Sequence, residues 1–264
     1  MSLLEITDLT VRFAGRTVVD RVSLSVAPGD RLGLIGSSGS GKSLTALAAI
    51  GLAPDDAEVS GSVRLDGREI LGLPDRELAP LRGARVGVVF QEPQTALDPL
   101  MRVGRQVAGP VRRLTGVSRT TAAARAVALL SAVGLPEPEH LARAYPHQLS
   151  GGQRQRVGIA VALAGDPALL IADEPTTALD VTVQAEILGL LDRLVAERGT
   201  ALLFISHDLA VLVRVARRVA VLAEGVVREE GEVAQVLREP ADPATKSLLA
   251  AYRASAWEPQ EARQ

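Results

Sequence analysis

The chain has 264 residues, a formal net charge of −2, 47% hydrophobic and 23% charged residues, and no cysteine. Such a length and balance suit one large α/β domain, or one domain with a small subdomain, built around a full core. They exclude disulfides, thiolate metal sites and cysteine nucleophiles, and they offer no overall basic excess of the kind nucleic-acid binding needs.

Met1 to Asp8 lacks the basic and long apolar regions of a signal peptide, and no uncharged apolar run approaches the ~20 residues of a membrane span. The expectation is a cytoplasmic protein whose membrane role, if it has one, runs through a partner. Two β-rich segments, Leu9 to Phe13 and Val18 to Val26, flank the turn Ala14-Gly15-Arg16 and predict an antiparallel layer. Phe13 is one of three phenylalanines; a core or sheet-surface role and stacking on an adenine both remain open for it. Pro28-Gly29-Asp30 then turns the chain into the apolar run Leu32 to Ile35.

That run feeds Gly36-Ser37-Ser38-Gly39-Ser40-Gly41-Lys42-Ser43, which is followed by the helix-favouring Leu44 to Ile50. The pattern G-x-x-x-x-G-K-[ST] needs its glycines so that successive backbone N–H groups can turn inward on phosphate oxygens, with the helix N-terminus adding partial positive charge. Lys42 would reach the β and γ phosphates, and the Ser43 hydroxyl would offer Mg²⁺ an oxygen. A flexible Gly/Ser linker is the bland alternative, disfavoured by the strand before and the helix after.

Gly61 to Leu65 with Asp66-Gly67 reads as a hairpin arm, Asp75 to Arg82 as a short helix, and Val86 to Phe90 as a buried strand ending at Gln91. From Pro93 to Pro146 the strand signal vanishes; Val103 to Leu114 and Thr120 to Val133 have helical spacing, which predicts a helical insertion. The Ala, Leu and Val residues of Thr120 to Val133 read as core packing. Ser150 is a plausible N-cap for a helix from Gly151 to Ala164, whose glycines would present free N–H groups as a second anion site. The continuous apolar runs Ala168 to Ala172 and Ala201 to Ile205 predict buried parallel strands, with the amphipathic helix Val181 to Arg198 between them. A helix to Ala216, strands at Val219 to Leu222 and Val226-Val227, and helical pieces past Gly231 and from Thr245 to Ala254 complete the alternation. A polar tail begins at Ser255.

Strands alternating with helices imply a mostly parallel sheet, whose ligands sit outside the carboxyl ends of the strands. Four buried strands end in useful chemistry: the phosphate loop, Gln91, Asp173-Glu174, and His207. Ser43, Gln91 and Asp173 are candidate metal ligands, Asp173 through water. Glu174 is the candidate general base, and His207 can donate to a γ-phosphate oxygen. Each has a duller reading in isolation: a loop amide, a helix start favoured by the macrodipole, a helix start again. Their joint placement behind a phosphate loop is what turns the reading. His140 and His147 lack such placement and are expected to be surface or subdomain residues.

The set Gly36 to Ser43, Gln91, Leu149-Ser150-Gly151-Gly152-Gln153, Leu169 to Glu174, Ala178-Leu179-Asp180 and His207 resembles the ATP-binding-cassette (ABC) ATPases, in order and approximate spacing, from about Leu3 to Gly231. The resemblance implies an α/β P-loop NTPase fold with a mostly parallel core sheet, an N-terminal antiparallel β layer and an inserted helical subdomain. It places a cassette at 1–232, with the insertion at about 93–165, and a short C-terminal helical extension and tail at 233–264. It also implies ATP and Mg²⁺ as cofactors, bound by the phosphate loop and Leu44, by Gln91, and by Ser150, Gly151, Gly152, Gln153 and Asp180 acting on the nucleotide of a second cassette. Lys42, Glu174 and His207 would carry the chemistry, and Phe13 falls where an adenine-stacking aromatic is usual.

Further matches in Phe90 to Pro99, Tyr145-Pro146-His147-Gln148 and Asp180 to Ala185 are similar to the oligopeptide, dipeptide and nickel importer ATPases. The implied partners are a second cassette, identical or paralogous, integral-membrane permease subunits and, indirectly, an extracytoplasmic solute-binding protein. Location on the inner face of the membrane follows. Members of that group commonly carry a longer C-terminal extension with cysteines. Here Asp242-Pro243-Ala244-Thr245-Lys246 is a remnant and cysteine is absent, which favours the shorter nickel-type importers and rules out an iron–sulfur centre. The competing function is a non-transport cassette docked on a soluble enzyme complex, as in the phosphonate carbon–phosphorus lyase system. A DNA-repair or translation cassette is disfavoured by the single cassette, the lack of a coiled coil and the neutral charge.

Overall fold

The structure, a computed structural model, describes residues 2–91, 96–177 and 179–256. The expected start of the helical insertion at Pro93, residues 92–95 of the importer-like stretch, Ala178 and tail residues 257–264 lie outside them.

Two sheets and a helical layer make up the described chain. The first sheet is antiparallel, in the order β2-β1-β4-β5, from β1 (Leu4–Phe13), β2 (Arg16–Val26), β4 (Ala57–Leu65) and β5 (Arg68–Glu69). The second has the order β10-β9-β3-β8-β7-β6, from β3 (Arg31–Ile35), β6 (Val86–Val89), β7 (Leu169–Asp173), β8 (Ala201–Ser206), β9 (Arg218–Ala223) and β10 (Val226–Glu232). Its strands pair in parallel except β10, which runs antiparallel to β9. The expected antiparallel layer and mostly parallel core sheet are both present.

Strand β1 starts at Leu4, earlier than the sequence suggests. Its apolar alternation is broken by a bulge: the pairing with β2 shifts between Ile6 and Leu9, and Asp8 takes a positive φ of 49°. Gly61 permits this, because a Cβ there would lie 2.7 Å from the Asp8 carbonyl oxygen.

The central strands read as unbroken apolar runs because both faces are covered. Leu169 and Ile171 of β7 join the cluster shared with the antiparallel sheet and helix α1 (Lys42–Ala49); Leu170 and Ala172 join the cluster under the helical layer. That layer comprises α3 (Val103–Thr115), α4 (Arg119–Ala132), α5 (Pro138–Leu141) and α6 (Gly151–Ala162), beyond the short α2 (Asp75–Ala84). Val103, Val107 and Val111 of α3 and Ala122, Ala126 and Leu130 of α4 recur every four residues and are buried. Each fully buried valine contributes roughly 1.5 kcal/mol or more by leaving water. So the apolar face of residues 119–132 is core, as its spacing predicts, and His140 and His147 are exposed.

Helix α7 (Val181–Arg198) stops at Gly199, whose φ of 63° supplies the left-handed cap. Helices α8 (Leu209–Val215), α9 (Val233–Arg238) and α10 (Pro243–Ala256) pack a third cluster against the β9 side of the sheet, through Leu212, Val236 and Leu249. Glu229 on β10 ties the last of these down, accepting from the Ala241 N–H at 2.9 Å and the Asp242 N–H at 3.1 Å.

Candidate nucleotide site

Strand register decides where the chemistry sits. Ile35 pairs with Ser206, Asp173 with Ile205, and Val89 with Ala172. The order β3-β8-β7-β6 therefore sets the phosphate loop, His207, Asp173-Glu174 and Gln91 side by side at one sheet edge.

The loop leaves β3 at Gly36, where a Cβ would stand 2.0 Å from the Leu222 carbonyl oxygen, so only glycine fits. Gly39 and Gly41 take φ values of 77° and 98°. The N–H groups of Gly39, Gly41, Lys42 and Ser43 find no acceptor among the described residues and stand at the start of α1, a ready anion cradle. Lys42 is buried, and its Nζ donates to the carbonyls of Gly36 at 2.9 Å and Ser37 at 3.0 Å. Burial pushes its ammonium below the ordinary pKa, while the carboxylates of Glu174 and Asp173 pull it back up.

Ser43 Oγ donates to Asp173 Oδ1 at 2.8 Å. Burial raises the Asp173 pKa; the Ser43 hydroxyl and the Lys42 charge work against that rise, and the Glu174 charge adds to it. Glu174 follows with a positive φ of 44°, a left-handed backbone that a glutamate adopts only under constraint. Its N–H is fixed on the Ile205 carbonyl at 3.0 Å. Its Oε2 accepts from Thr177 Oγ1 at 3.0 Å and Gln91 Nε2 at 3.4 Å, and His207 Nδ1 stands 3.0 Å from the same oxygen. The Glu174 side chain is 12% exposed and that of His207 51%, so the histidine stays reachable from solvent.

A cavity of about 470 Å³ has a wall that includes Ser38, Gly39 and Gly41 to Leu44, together with Gln91, Glu174, Thr177 and His207. Sequence reasoning missed two of its lining residues, Thr177 and Val18. Thr177 lies one turn beyond Glu174, and that spacing was its only signal.

Other expected binding residues lie elsewhere. Ser150, Gly151, Gly152, Gln153, Asp180 and Phe13 are absent from the cavity wall. Ser150 and Gln153 form a reciprocal cap at the start of α6, with Gln153 N–H on Ser150 Oγ at 3.2 Å and Ser150 N–H on Gln153 Oε1 at 2.9 Å. A Cβ on Gly152 would come within 2.7 Å of Val183 Cγ1, so this turn lies against the start of α7. Asp180 caps α7, accepting from the Val183 N–H at 2.9 Å. Phe13 is half-buried against the core.

Among the described residues no group of three or more His, Asp or Glu could hold a metal alone. A hydroxyl and a carboxylate already 2.8 Å apart beside a phosphate cradle nevertheless suit Mg²⁺, which takes one or two protein oxygens and completes its shell with phosphate and water. Among the described residues no helix is long and apolar enough to cross a membrane.

The chain is similar to known proteins. A peptidoglycan transport ATP-binding protein YejF of Agrobacterium fabrum is 47% identical over 255 residues, which are 94% of this chain and 47% of that protein; the chain thus spans about half its length. The oligopeptide transport ATP-binding protein OppD of Salmonella typhimurium is 45% identical over 251 residues, 94% of this chain and 75% of that one. A dimeric structure of the ATP-binding cassette MJ0796 in a post-hydrolysis state, bound to ADP and Pi, superposes with a TM-score of 0.77 at 31% identity, covering 87% of this chain and 98% of that one. The ABC transporter family model matches residues 19–177. A phosphate loop, a strand-end acid pair and a histidine on adjacent strands, together with these matches, establish that the chain belongs to the ABC transporter family.

Proposed function

We propose that the chain is an ATP-hydrolysing cassette that energises peptide import through a membrane permease. The observation that carries this reading is the convergence of Lys42, Ser43, Gln91, Glu174 and His207 on one cavity at the sheet edge. On this reading Lys42 exchanges its two carbonyl partners for β- and γ-phosphate oxygens, and the free N–H groups of the loop take the others. Ser43 and Gln91, with Asp173 through water, would hold Mg²⁺, which would neutralise phosphate charge when bound. Glu174 takes the proton of the attacking water. Thr177 and Gln91 fix one carboxylate oxygen, with His207 3.0 Å from it, which leaves the other to face that water. His207 in turn exchanges Glu174 for the γ-phosphate.

The helix start at Ser150 to Gln153 lies off this cavity, so it serves the nucleotide of a second cassette, identical or paralogous. That the MJ0796 cassette is dimeric with ADP and Pi supports this. The cassette proper spans 1–232 with the helical subdomain at about 93–165, and 233–264 forms a C-terminal extension. Relatives named for oligopeptide transport favour a peptide substrate over nickel, and transport over service in a soluble enzyme complex. The chain then works at the inner face of the membrane beside permease subunits, fed by a solute-binding protein.

The test is Glu174→Gln. It removes the charge that accepts the proton and leaves the phosphate cradle, so ATP binding should persist while steady-state turnover falls on the order of a hundredfold or more. Unchanged turnover would reject Glu174 as the base. Transport is tested by uptake of labelled peptide with co-expressed permease, which the same variant should abolish.

A further inference from the structure

Charge is distributed unevenly along the chain. Residues 96–165 hold nine arginines and three carboxylates, a surplus of six positive charges in a chain whose net charge is −2. Between Pro99 and Pro136 there are six arginines and no acidic residue. The fold gathers part of this excess: Arg102, Arg105, Arg112, Arg119 and Arg143 line a cavity of about 490 Å³ between α3, α4 and the segment after α5. No carboxylate lines it.

A solvated, salt-bridged helix face would look different. Such faces pair each arginine with an acid three or four residues away. Here Arg105 is followed at those positions by Ala108 and Gly109, Arg112 by Thr115 and Gly116, and Arg119 by Ala122 and Ala123, while Asp98 and Glu139 stand four residues before Arg102 and Arg143 without pairing with them. None of the five makes an ion pair among the described residues, and Arg102 alone has an aromatic neighbour, the Tyr145 ring at 5.8 Å. Nearby Arg156, by contrast, meets Glu186 at 2.8 Å.

The cavity is held open by backbone. Val103 N–H donates to the Ala144 carbonyl and Gly104 N–H to the Ala142 carbonyl, each at 2.9 Å. A Cβ on Gly104 would lie 2.8 Å from Ala142 Cβ, so glycine is what lets the segment carrying Arg143 clamp onto the start of α3. The small residues Ala108, Ala122 and Ala123 line the cavity beside the arginines.

We infer that this cavity is a binding site for phosphate-bearing ligands. Guanidinium forks match the paired oxygens of an oxyanion, and five uncompensated cations on one concave surface call for more than the single charge of a carboxylate. Two sources share that chemistry: a soluble diphosphate compound, and the phosphodiester headgroups of an anionic membrane surface. The inference stands apart from the nucleotide reading, since none of the five arginines lines the nucleotide cavity.

The experiment has two arms, each run on the full chain, on Arg105→Gln/Arg112→Gln/Arg119→Gln, and on Arg21→Gln/Arg64→Gln/Arg228→Gln as an equal charge change elsewhere. One arm measures cosedimentation with vesicles rich in phosphatidylglycerol against vesicles of phosphatidylcholine alone. The other titrates inorganic pyrophosphate and follows amide shifts by NMR, so that shifts at Ala108, Ala122 and Ala142 are separated from shifts in the phosphate loop. The expected result is binding in at least one arm, weakened about tenfold or more by the cavity triple variant and less than about twofold by the control. Binding to vesicles alone identifies headgroups; binding of pyrophosphate identifies a soluble ligand. No binding in either arm, or equal loss in the two triple variants, overturns the site. Wild-type pyrophosphate shifts confined to the phosphate loop, with no vesicle binding, overturn it without recourse to any variant.

Discussion

Asp173 is a carboxylate kept where charge is disfavoured. Burial raises its pKa above the ordinary carboxylate range. A raised folded-state pKa means that its contribution to stability is present at low pH and is lost as the pH climbs through that value. At neutral pH its charge therefore costs the nucleotide-free fold. Asp173→Asn keeps an oxygen for the Ser43 hydroxyl and discards the charge. The expected outcome, read by thermal melts, is a nucleotide-free melting temperature higher by on the order of 2 °C at pH 7. That gap should close as the pH falls toward the ordinary carboxylate range, and the rise produced by MgATP should shrink. A lower melting temperature at pH 7 would show that the charge stabilises. At this scale the site was largely legible, since Lys42, Ser43, Gln91, Asp173, Glu174 and His207 each follow a buried strand, and all meet here. Thr177 was not, because its donation to Glu174 depends on a turn whose course no residue type announces. Neither was the left-handed backbone of Glu174, at a position with no glycine or asparagine to signal it.

Elements tell a different story from residues. Parallel strands β3, β7 and β8 were legible to within about a residue, because burial on both faces leaves an unbroken apolar run. Antiparallel strands were cut short: β4 begins at Ala57 and β10 runs on through Glu232, both with polar residues interleaved on an exposed face. The turn after β10 shows how such a strand holds its neighbours. Burial works against ionisation of Glu229, yet the Ala241 and Asp242 N–H bonds prevail and hold its pKa below the ordinary value. The sign is therefore the reverse of that at Asp173: this anchor contributes above the ordinary glutamate range and is lost as the pH falls through the lowered value. Glu229→Ala should speed amide exchange in residues 243–254 while leaving exchange in the central sheet as it was. Unchanged exchange in α10 would mean that Leu249 and its apolar neighbours suffice to dock it.

For the molecule as a whole, the separation between the phosphate loop and the start of α6 carries the argument. Ser150→Arg places a bulky cation where the glycine N–H groups emerge, and removes a cap worth about 1 kcal/mol. A single chain should still bind ATP with wild-type affinity, because Ser150 is not in its own nucleotide cavity. Hydrolysis should be lost, and wild-type specific activity should rise with protein concentration. Loss of nucleotide binding by the isolated variant, or turnover independent of concentration, would sink the shared site. The arginine-rich helical layer has a consequence of its own. A body with six surplus positive charges in one layer, and a compensating negative excess in the remainder, is an electric dipole. Near an anionic surface it feels a torque before it touches, and it arrives arginine face first. Raising the ionic strength from about 0.01 to 0.15 M shrinks the reach of that torque from about 30 Å to 8 Å, so orientation on approach becomes a matter of salt.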